Sequence, residues 1–339
     1  MSDSLPIGKL DPKALKQLVF SRLGESSPRV LLGPSIGEDA TVIDFGNKAL
    51  VIHSDPITGA VENIGRHAVY VCTNDIATRG VRPLWILTVF LLPENITLAQ
   101  LKSITSQIDE AAKELDIAVV GGHSEVTPGI DRPILVTTAL GETPKAKFIR
   151  TSGAKKGDSI IVTKGAAIEG TSILANELES SLQAKVGKEV VERAKQFIKR
   201  LSVVKDALTA VKAGGVHAMH DATEGGVAGG LQEIAWASNV GLIAYENKLN
   251  VFPETQAICK ALGIDPLRTI SSGTLIIAAE DKKAEKIVKS LKQKGIPASI
   301  VGKIMSKGKG SFIVREDGAR LDLSTPVKEE LWRALQKNK

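Results

Sequence analysis

Apolar residues either alternate with polar ones or recur every three to four positions along most of the 339-residue chain. Those two periods set out its elements in order. Asp11 to Arg22 reads as a helix, with Asp11 as N-cap, Pro12 at the first helical position and Leu15, Leu18 and Val19 along one face. Thr41 to Phe45 and Ala49 to His53 read as strands joined at Gly46-Asn47. Beyond Asp55-Pro56, the residues Ile64, Ala68 and Val71 form a helical stripe, and Asp75 falls on the same stripe. Pro83 to Leu92 is apolar enough for a buried strand. Thr97 and Gln100 make a capping box ahead of a helix carrying Leu98, Leu101, Ile104, Ile108, Ala111 and Leu115. Ile117 to Val120 predicts a short strand running into Gly121-Gly122, and Ile134 to Leu140 another, closed by Gly141-Glu142.

Thr151 to Asp158 is polar and glycine-containing and reads as a domain boundary, because the same grammar restarts after it. A strand at Ser159 to Val162 leads through the loop Lys164 to Gly170 into a helix from Thr171. Helices follow near Glu189 to Lys199 and Val203 to Ala213, then a strand near Val216 to Met219 and a glycine-opened helix from Gly225 to Ala237. Strands at Leu242 to Tyr245, Thr274 to Ala279 and Ala298 to Gly302 are separated by helices near Glu254 to Leu262 and Lys282 to Lys294. A hairpin to Leu323 ends the pattern. The pattern predicts a two-domain α/β (α+β) protein, with domains at residues 1–150 and 151–310 and a hairpin and basic tail at 311–339.

Composition changes this picture little. Hydrophobic residues make up 43% of the chain and aromatics only 4%, so the core is aliphatic, and no base-stacking surface is expected. The formal charge of +6 is concentrated in the last stretch, where Asp281 to Lys339 holds 15 Lys/Arg against 7 Asp/Glu. Lys and Glu interleave there as on solvated helix faces, and no nucleic-acid motif accompanies them, so nucleic acid is not an expected partner. Cys72 and Cys259 have no metal or disulfide spacing. Met1 to Leu10 lacks a signal-peptide core and no run is long enough to span a bilayer, so the expected setting is cytoplasmic, without a membrane partner.

The candidate chemistry lies in short acidic stations: Gly37-Glu38-Asp39-Ala40, Ser54-Asp55, Asn74-Asp75, Gly121-Gly122-His123-Ser124-Glu125, and His220-Asp221-Ala222-Thr223-Glu224-Gly225-Gly226. Mg²⁺ takes oxygen ligands and commonly one or two carboxylates alongside phosphate oxygens. Acids at strand ends beside glycines could therefore converge on a cation-bound phosphate, with glycine amides meeting the phosphate. Asp75, on an apolar stripe, must be paired or metal-bound, since burying it alone costs too much. A salt bridge to Arg79, one turn on, is the structural alternative. Single stations of this kind are more often turns than ligands. The P-loop, GxGxxG, HExxH and GxSxG patterns are all absent. Of the histidines His53, His67, His123, His217 and His220, His217 and His220 could be zinc ligands but lack a third partner at sensible spacing, and each reads as a packed or surface residue.

Taken in order, these stations resemble the aminoimidazole-ribonucleotide (AIR) synthetase superfamily, which includes thiamine-monophosphate kinase, selenophosphate synthetase and the hydrogenase-maturation protein HypE. The resemblance runs from about Gly33 to Lys303. It is strongest to HypE, through Val71 to Pro83, Glu125-Val126-Thr127-Pro128, Gly157 to Val162, Gly225-Gly226 with Glu233-Ile234-Ala235, and Ala261 to Leu267. It implies an N-terminal domain that dimerises into a shared β-sheet or barrel flanked by helices, a C-terminal α/β domain, and a cleft for ATP and Mg²⁺. The implied chemistry is activation of an acceptor oxygen by phosphoryl transfer. On this resemblance Asp39, Asp55, Asp75 and Asp221 hold metal, Asp75 and Glu125 are catalytic, and Gly37, Asn74, Gly121, Gly122, Gly225 and Gly226 bind the nucleotide.

Three departures bear on the substrate. The family's Pro-Arg-Ile-Cys tail, whose cysteine carries a carbamoyl group dehydrated to a thiocyanate, is replaced by Ala334 to Lys339. An Asn-Glu-Gly is replaced by Ser271-Ser272-Gly273, and His123 follows the paired glycines where relatives often have an acid. The acceptor is thus an unidentified small molecule or a partner protein's side chain. Alternatives are a nucleotide-binding scaffold that has lost the chemistry, or a small-molecule kinase similar to thiamine-monophosphate kinase.

Overall fold

The computed structural model describes residues 10–58 and 62–338. The reading of Met1 to Leu10 therefore falls almost entirely outside the described residues. Asp11 does cap a helical start, accepting from the Lys13 amide at 2.8 Å, but α1 (Pro12–Ala14) passes at once into a π-helical turn, Leu15–Val19. The predicted apolar face there is not covered: Leu18 and Val19 stay exposed.

The first sheet has six strands in the order β1-β2-β3-β6-β4-β5. These are β1 (Val30–Leu32), β2 (Thr41–Phe45), β3 (Lys48–Ile57), β4 (Pro83–Leu92), β5 (Ala118–Val126) and β6 (Ile134–Pro144). Helices α2 (Ile64–Thr78) and α3 (Leu98–Glu114) cover one face, burying Ile64, Ala68, Val71, Ile104 and Ile108 against Val51, Ile86, Leu135 and Ala139. The capping box forms as the sequence requires, with the Thr97 hydroxyl accepting from the Gln100 amide and the Gln100 side chain accepting from the Thr97 amide. Among the described residues no helix cluster covers the opposite face of the sheet, so β4 is only partly buried and Leu87 is exposed. Strand β5 is longer than predicted. It runs straight through Gly121-Gly122 as the exposed edge strand, paired in parallel with β4 across a bulge at Ile86/Leu87.

The second sheet has seven strands in the order β13-β12-β9-β11-β7-β10-β8. They are β7 (Ser159–Thr163), β8 (Val216–Asp221), β9 (Gly241–Tyr245), β10 (Leu275–Ala279), β11 (Ala298–Met305), β12 (Ser311–Val314) and β13 (Arg320–Asp322). The terminal hairpin β12–β13 joins this sheet through parallel pairing of β12 with β9. Helix α4 (Ile168–Glu177) starts three residues before its predicted position, and is followed by α5 (Glu179–Val186) and α6 (Lys188–Lys195). Next in the chain come α7 (Val204–Ala213), α8 (Gly226–Ser238), α9 (Pro253–Leu262), α10 (Asp281–Gln293) and α11 (Leu331–Asn338). One face of the sheet packs on α8 through Val227, Ala228, Leu231 and Ile234, and the other on α7 and α10 through Ala207, Ala210, Ile287 and Leu291. Helices α4, α5, α6, α9 and α11 share a separate aliphatic cluster around Leu174, Leu182 and Ile258. Among the described residues no helix is long and apolar enough to cross a membrane.

The two sheets meet along α2. Edge strand β8 of the second sheet packs against this helix, and the Asn74 side chain ties it to the segment before α7. Four of the five acidic stations, those at Asp39, Asp55, Asp75 and Asp221, gather at this seam.

Candidate metal centre between the two sheets

Each acid arrives on a different element. Asp39 sits in the turn entering β2, after Gly37, whose φ is +81° and whose hydrogen faces the Glu233 carbonyl; a Cβ there would lie 2.8 Å from that oxygen. His53 and Asp55 are two apart on β3 and so share a face. Asp75 lies on α2, one turn beyond Val71, and His220 and Asp221 end β8. Two groups result. One contains Asp39, His220 and Asp221, the other His53, Asp55 and Asp75, and within each the candidate ligand atoms lie within 4.8 Å of one another.

The groups differ in access. The Asp39, His220 and Asp221 side chains are 4%, 4% and 0% exposed, whereas those of His53 and Asp55 are 22% and 34% exposed. His53 Nε2 stands 3.5 Å from Asp75 Oδ2 and 3.6 Å from Asp55 Oδ2, too far for good hydrogen bonds. Buried Asp75 Oδ2 and both Asp221 carboxylate oxygens have no hydrogen-bond partner. Burial, then the charges of Asp221, Asp55 and Asp39, push the Asp75 carboxyl well above the usual range. Burial, then Asp39, lifts Asp221 to about 7. Burial pulls His220 down, but Asp39 and Glu233 more than offset it and raise the imidazole to about 9. Orphaned carboxylate oxygens at a buried seam are what a divalent cation satisfies, so this donor set fits one.

Arg79, fully buried, holds the entrance turn. It donates to Glu38 Oε2 and Asp39 Oδ2, and also to Thr151 Oγ1 and the Met219 carbonyl. The pairing of Asp75 with Arg79, open from sequence, is therefore not made. Arg79 is the C-cap of α2, and its side chain runs to the turn before β2 instead. Glu38 in turn accepts from the Thr151 and Ser152 amides, tying the entrance turn to the segment that leads into the second sheet.

The other singled-out residues lie as follows. The Asn74 amide donates to Leu201 O and accepts from Val203 N–H, so both ends of it serve the segment before α7. Gly122 shares a cross-strand row with Thr88, Thr137 and Asp55, about 14 Å away across three strand spacings. A Cβ on Gly122 would meet Thr88 O at 2.0 Å, so close backbone approach at the bulge requires this glycine. His123 and Glu125 alternate with Gly122, so they project from the opposite face. There they pair at 3.2 Å in the open, and the structure does not bring Glu125 to the acid cluster. At the start of α8, the Gly225 amide donates to Glu329 Oε2 at 2.6 Å, and Gly226 packs against the Leu267 and Thr269 carbonyls. A carboxylate from the chain's own tail thus takes up one amide of this helix N-terminus.

Sequence reasoning passed over His53 and set His220 aside as a metal ligand for want of a third partner. His53 lies two residues before Asp55 on a strand and His220 directly precedes Asp221, so proximity to a candidate ligand was the available signal. It also missed Glu233, whose Oε2 is 2.9 Å from His220 Nε2, and the buried pair His67–Glu169 with Nε2 and Oε1 3.8 Å apart.

Two sheets meeting over a carboxylate-lined seam, with the acids supplied from both halves, define the class of AIR-synthase-type proteins. The chain matches the family description "AIR synthase related protein, N-terminal domain" over residues 37–143 and "AIR synthase related protein, C-terminal domain" over residues 155–315. It is 30% identical over 321 residues to the putative hydrogenase expression/formation protein MJ0676 of Methanocaldococcus jannaschii, covering 93% of each chain. It is 26% identical to the carbamoyl dehydratase HypE of Rhodobacter capsulatus, covering 89% of this chain and 88% of that one. A HypE solved in a HypE–HypF complex superposes with a TM-score of 0.75 at 25% identity, over 92% of this chain and all of the other. The chain belongs to the AIR synthase related family.

Proposed function

We propose that the chain is a HypE-like, ATP-dependent enzyme that activates an acceptor oxygen by phosphoryl transfer, in the maturation of a hydrogenase-type metalloenzyme. The observation that carries this reading is the convergence of Asp39, Asp55, Asp75 and Asp221 from both sheets, with buried carboxylate oxygens left unpartnered. Bound ATP would supply the phosphoryl group, and Mg²⁺ held by Asp55 and Asp75 would neutralise its charge. Asp39, fixed by Arg79, and Asp221, at the end of β8, would orient the cation from the closed side. The seam excludes water on that side and opens at Asp55, which is where a phosphate would enter.

Neither cysteine fits a thiol acceptor. Cys72 and Cys259 are both buried, and burial raises the Cys72 thiol well above its ordinary value and Cys259 to about 12. On this reading the acceptor oxygen belongs to neither cysteine and is brought by a separate molecule. A scaffold reading is favoured by one observation: the Gly225 amide, a candidate phosphate donor, already serves Glu329. A homodimer is supported by β5, an exposed edge on which Val119, Val120 and Val126 are each more than half exposed.

The test is ADP release from Mg-ATP with a carbamoyl-bearing acceptor, comparing wild type with Asp75→Asn. Asp75 holds no ion pair with Arg79, so the variant keeps the entrance clasp. Turnover should fall by about 100-fold or more with the fold intact by circular dichroism. Equal turnover in the two proteins would refute the assignment, while Mg-ATP stabilisation without turnover in wild type would favour the scaffold.

A further inference from the structure

The inner group contains a feature that a phosphate-bound Mg²⁺ does not call for. His220 Nδ1 lies 2.7 Å from the Asp221 carbonyl oxygen, which can only accept, so Nδ1 carries the proton. That bond fixes the ring and turns Nε2 into the cluster, 3.3 Å from Asp39 Oδ1 and 2.9 Å from Glu233 Oε2. Nε2 is buried with only these carboxylates facing it and makes no well-aligned hydrogen bond, and neither oxygen of Asp221 has a hydrogen-bond partner. A backbone carbonyl holding one ring nitrogen while the other faces carboxylates is how metal-binding histidines are oriented. Mg²⁺ takes oxygen ligands, whereas imidazole beside carboxylates suits first-row transition ions.

We infer that Asp39, His220 and Asp221, with Glu233 beside them, form a site for a first-row divalent transition ion that is bound in the absence of nucleotide. The outer group of His53, Asp55 and Asp75 is left for the cation that accompanies phosphate. The inference rests on reading the seam as a metal centre and adds the class of ion and the order of loading. The closed inner group, with no exposed oxygen at Asp221, holds its ion before substrate arrives. The more open outer group exchanges its ion with each nucleotide.

The test uses the full chain stripped with a chelator and titrated calorimetrically with Co²⁺, Zn²⁺ or Mg²⁺ chlorides, without nucleotide. Visible absorption of bound Co²⁺ is recorded in parallel. One equivalent of Co²⁺ or Zn²⁺ should bind about 100-fold or more tighter than Mg²⁺, with a cobalt spectrum that reports nitrogen ligation. His220→Asn should lose that preference and the nitrogen signature, while His53→Asn should keep the first equivalent. Circular dichroism checks that both variants fold. Equal affinity for Co²⁺ and Mg²⁺, or His220→Asn binding Co²⁺ as wild type does, would overturn the inference and leave His220 as an imidazolium paired with Asp39 and Glu233. Thermal stabilisation by Mg-ATP in the same preparations separates the two ideas. If it is present without a cobalt preference, the nucleotide reading survives and the inner site does not. If it is absent while cobalt binds tightly, the nucleotide reading fails and the inner site stands.

Discussion

Replacing Arg79 by Met removes one cation from beneath two carboxylates that have little else to neutralise them. The guanidinium is fully buried, and the Glu38 and Asp39 side chains are each only 4% exposed. Glu38 would keep the Thr151 and Ser152 amides and the Ser152 hydroxyl, so its charge stays solvated by the protein. Asp39 would keep only His220, and the Thr151 hydroxyl and Met219 carbonyl would each lose a donor. Breaking a buried ion pair from one side costs about 3–5 kcal/mol. The surviving bonds to Glu38 place Arg79→Met near the lower end, at about 3 kcal/mol, roughly a hundredfold shift in the folding equilibrium. The assay is urea unfolding of metal-free protein followed by tryptophan fluorescence and circular dichroism together, since two domains need not unfold in one step. Adding Asp39→Asn to Arg79→Met should recover part of the loss, because it removes the uncompensated charge. A loss below about 1 kcal/mol, the scale of a surface pair, would refute the clasp. So would a double variant no more stable than the single.

Two further outcomes follow from the geometry. Burial lifts the Glu169 carboxyl to about 7, with Ser272 opposing. Its native pKa lies above the unfolded value, so its contribution is complete below about pH 4.5 and is lost as pH rises through about 7, worth roughly 3 kcal/mol. Buried His67, 3.8 Å away and lowered to about 4 by burial, contributes a rise over much of the same window. Glu169→Gln should therefore make the urea midpoint of metal-free protein climb more steeply with pH there, and an unchanged slope would show that Glu169 does not titrate there. At the sheet edge, Val119→Lys and Val126→Lys place charges on β5 where wild-type side chains are 51% and 56% exposed, so the monomer fold should tolerate them. Sedimentation should show the wild type as a dimer and the double variant as a monomer, and equal masses would remove β5 from the interface.

How much of this was legible depended on the range over which each signal acts. The Ile64–Ala68–Val71 stripe, the Thr97–Gln100 box and the strand Pro83–Leu92 are local patterns, and each produced its element. Asp75 stood out because an acid on that stripe has no local justification. Its supposed partner Arg79 was misplaced for the same reason: an i,i+4 pair is the nearest explanation, but a residue at the helix C-cap points elsewhere, and its partners lie 40 and 41 residues earlier. Gly121-Gly122 looked like the end of a strand because glycine usually ends one. Here it permits a bulge within an edge strand, a requirement set by Thr88 on the neighbouring strand. His220 and Asp39 are 181 positions apart, and only the packing of β8 against α2 brings the two sheets' ligands together.

That packing also sets what the seam costs. Four carboxylates and two imidazoles meet where water is scarce, and the only guanidinium among the described residues that touches them is Arg79, spent on Asp39. Asp75 and Asp221 are left to the remaining remedy for buried charge, which is to keep their protons. A cation entering the seam supplies the missing positive charge, so it must displace those protons together with the one that His220, raised to about 9, holds, and its affinity must rise with pH across the range where they are held. The raised carboxyls and the orphaned oxygens are therefore two aspects of one deficit, and proton release measured during metal titration reports its size directly. Buffers of different ionisation enthalpy give that number from the same calorimetry. Release near zero would mean that Asp75 and Asp221 already carry their charges in the metal-free protein, and the electrostatic account of the seam would fall with it.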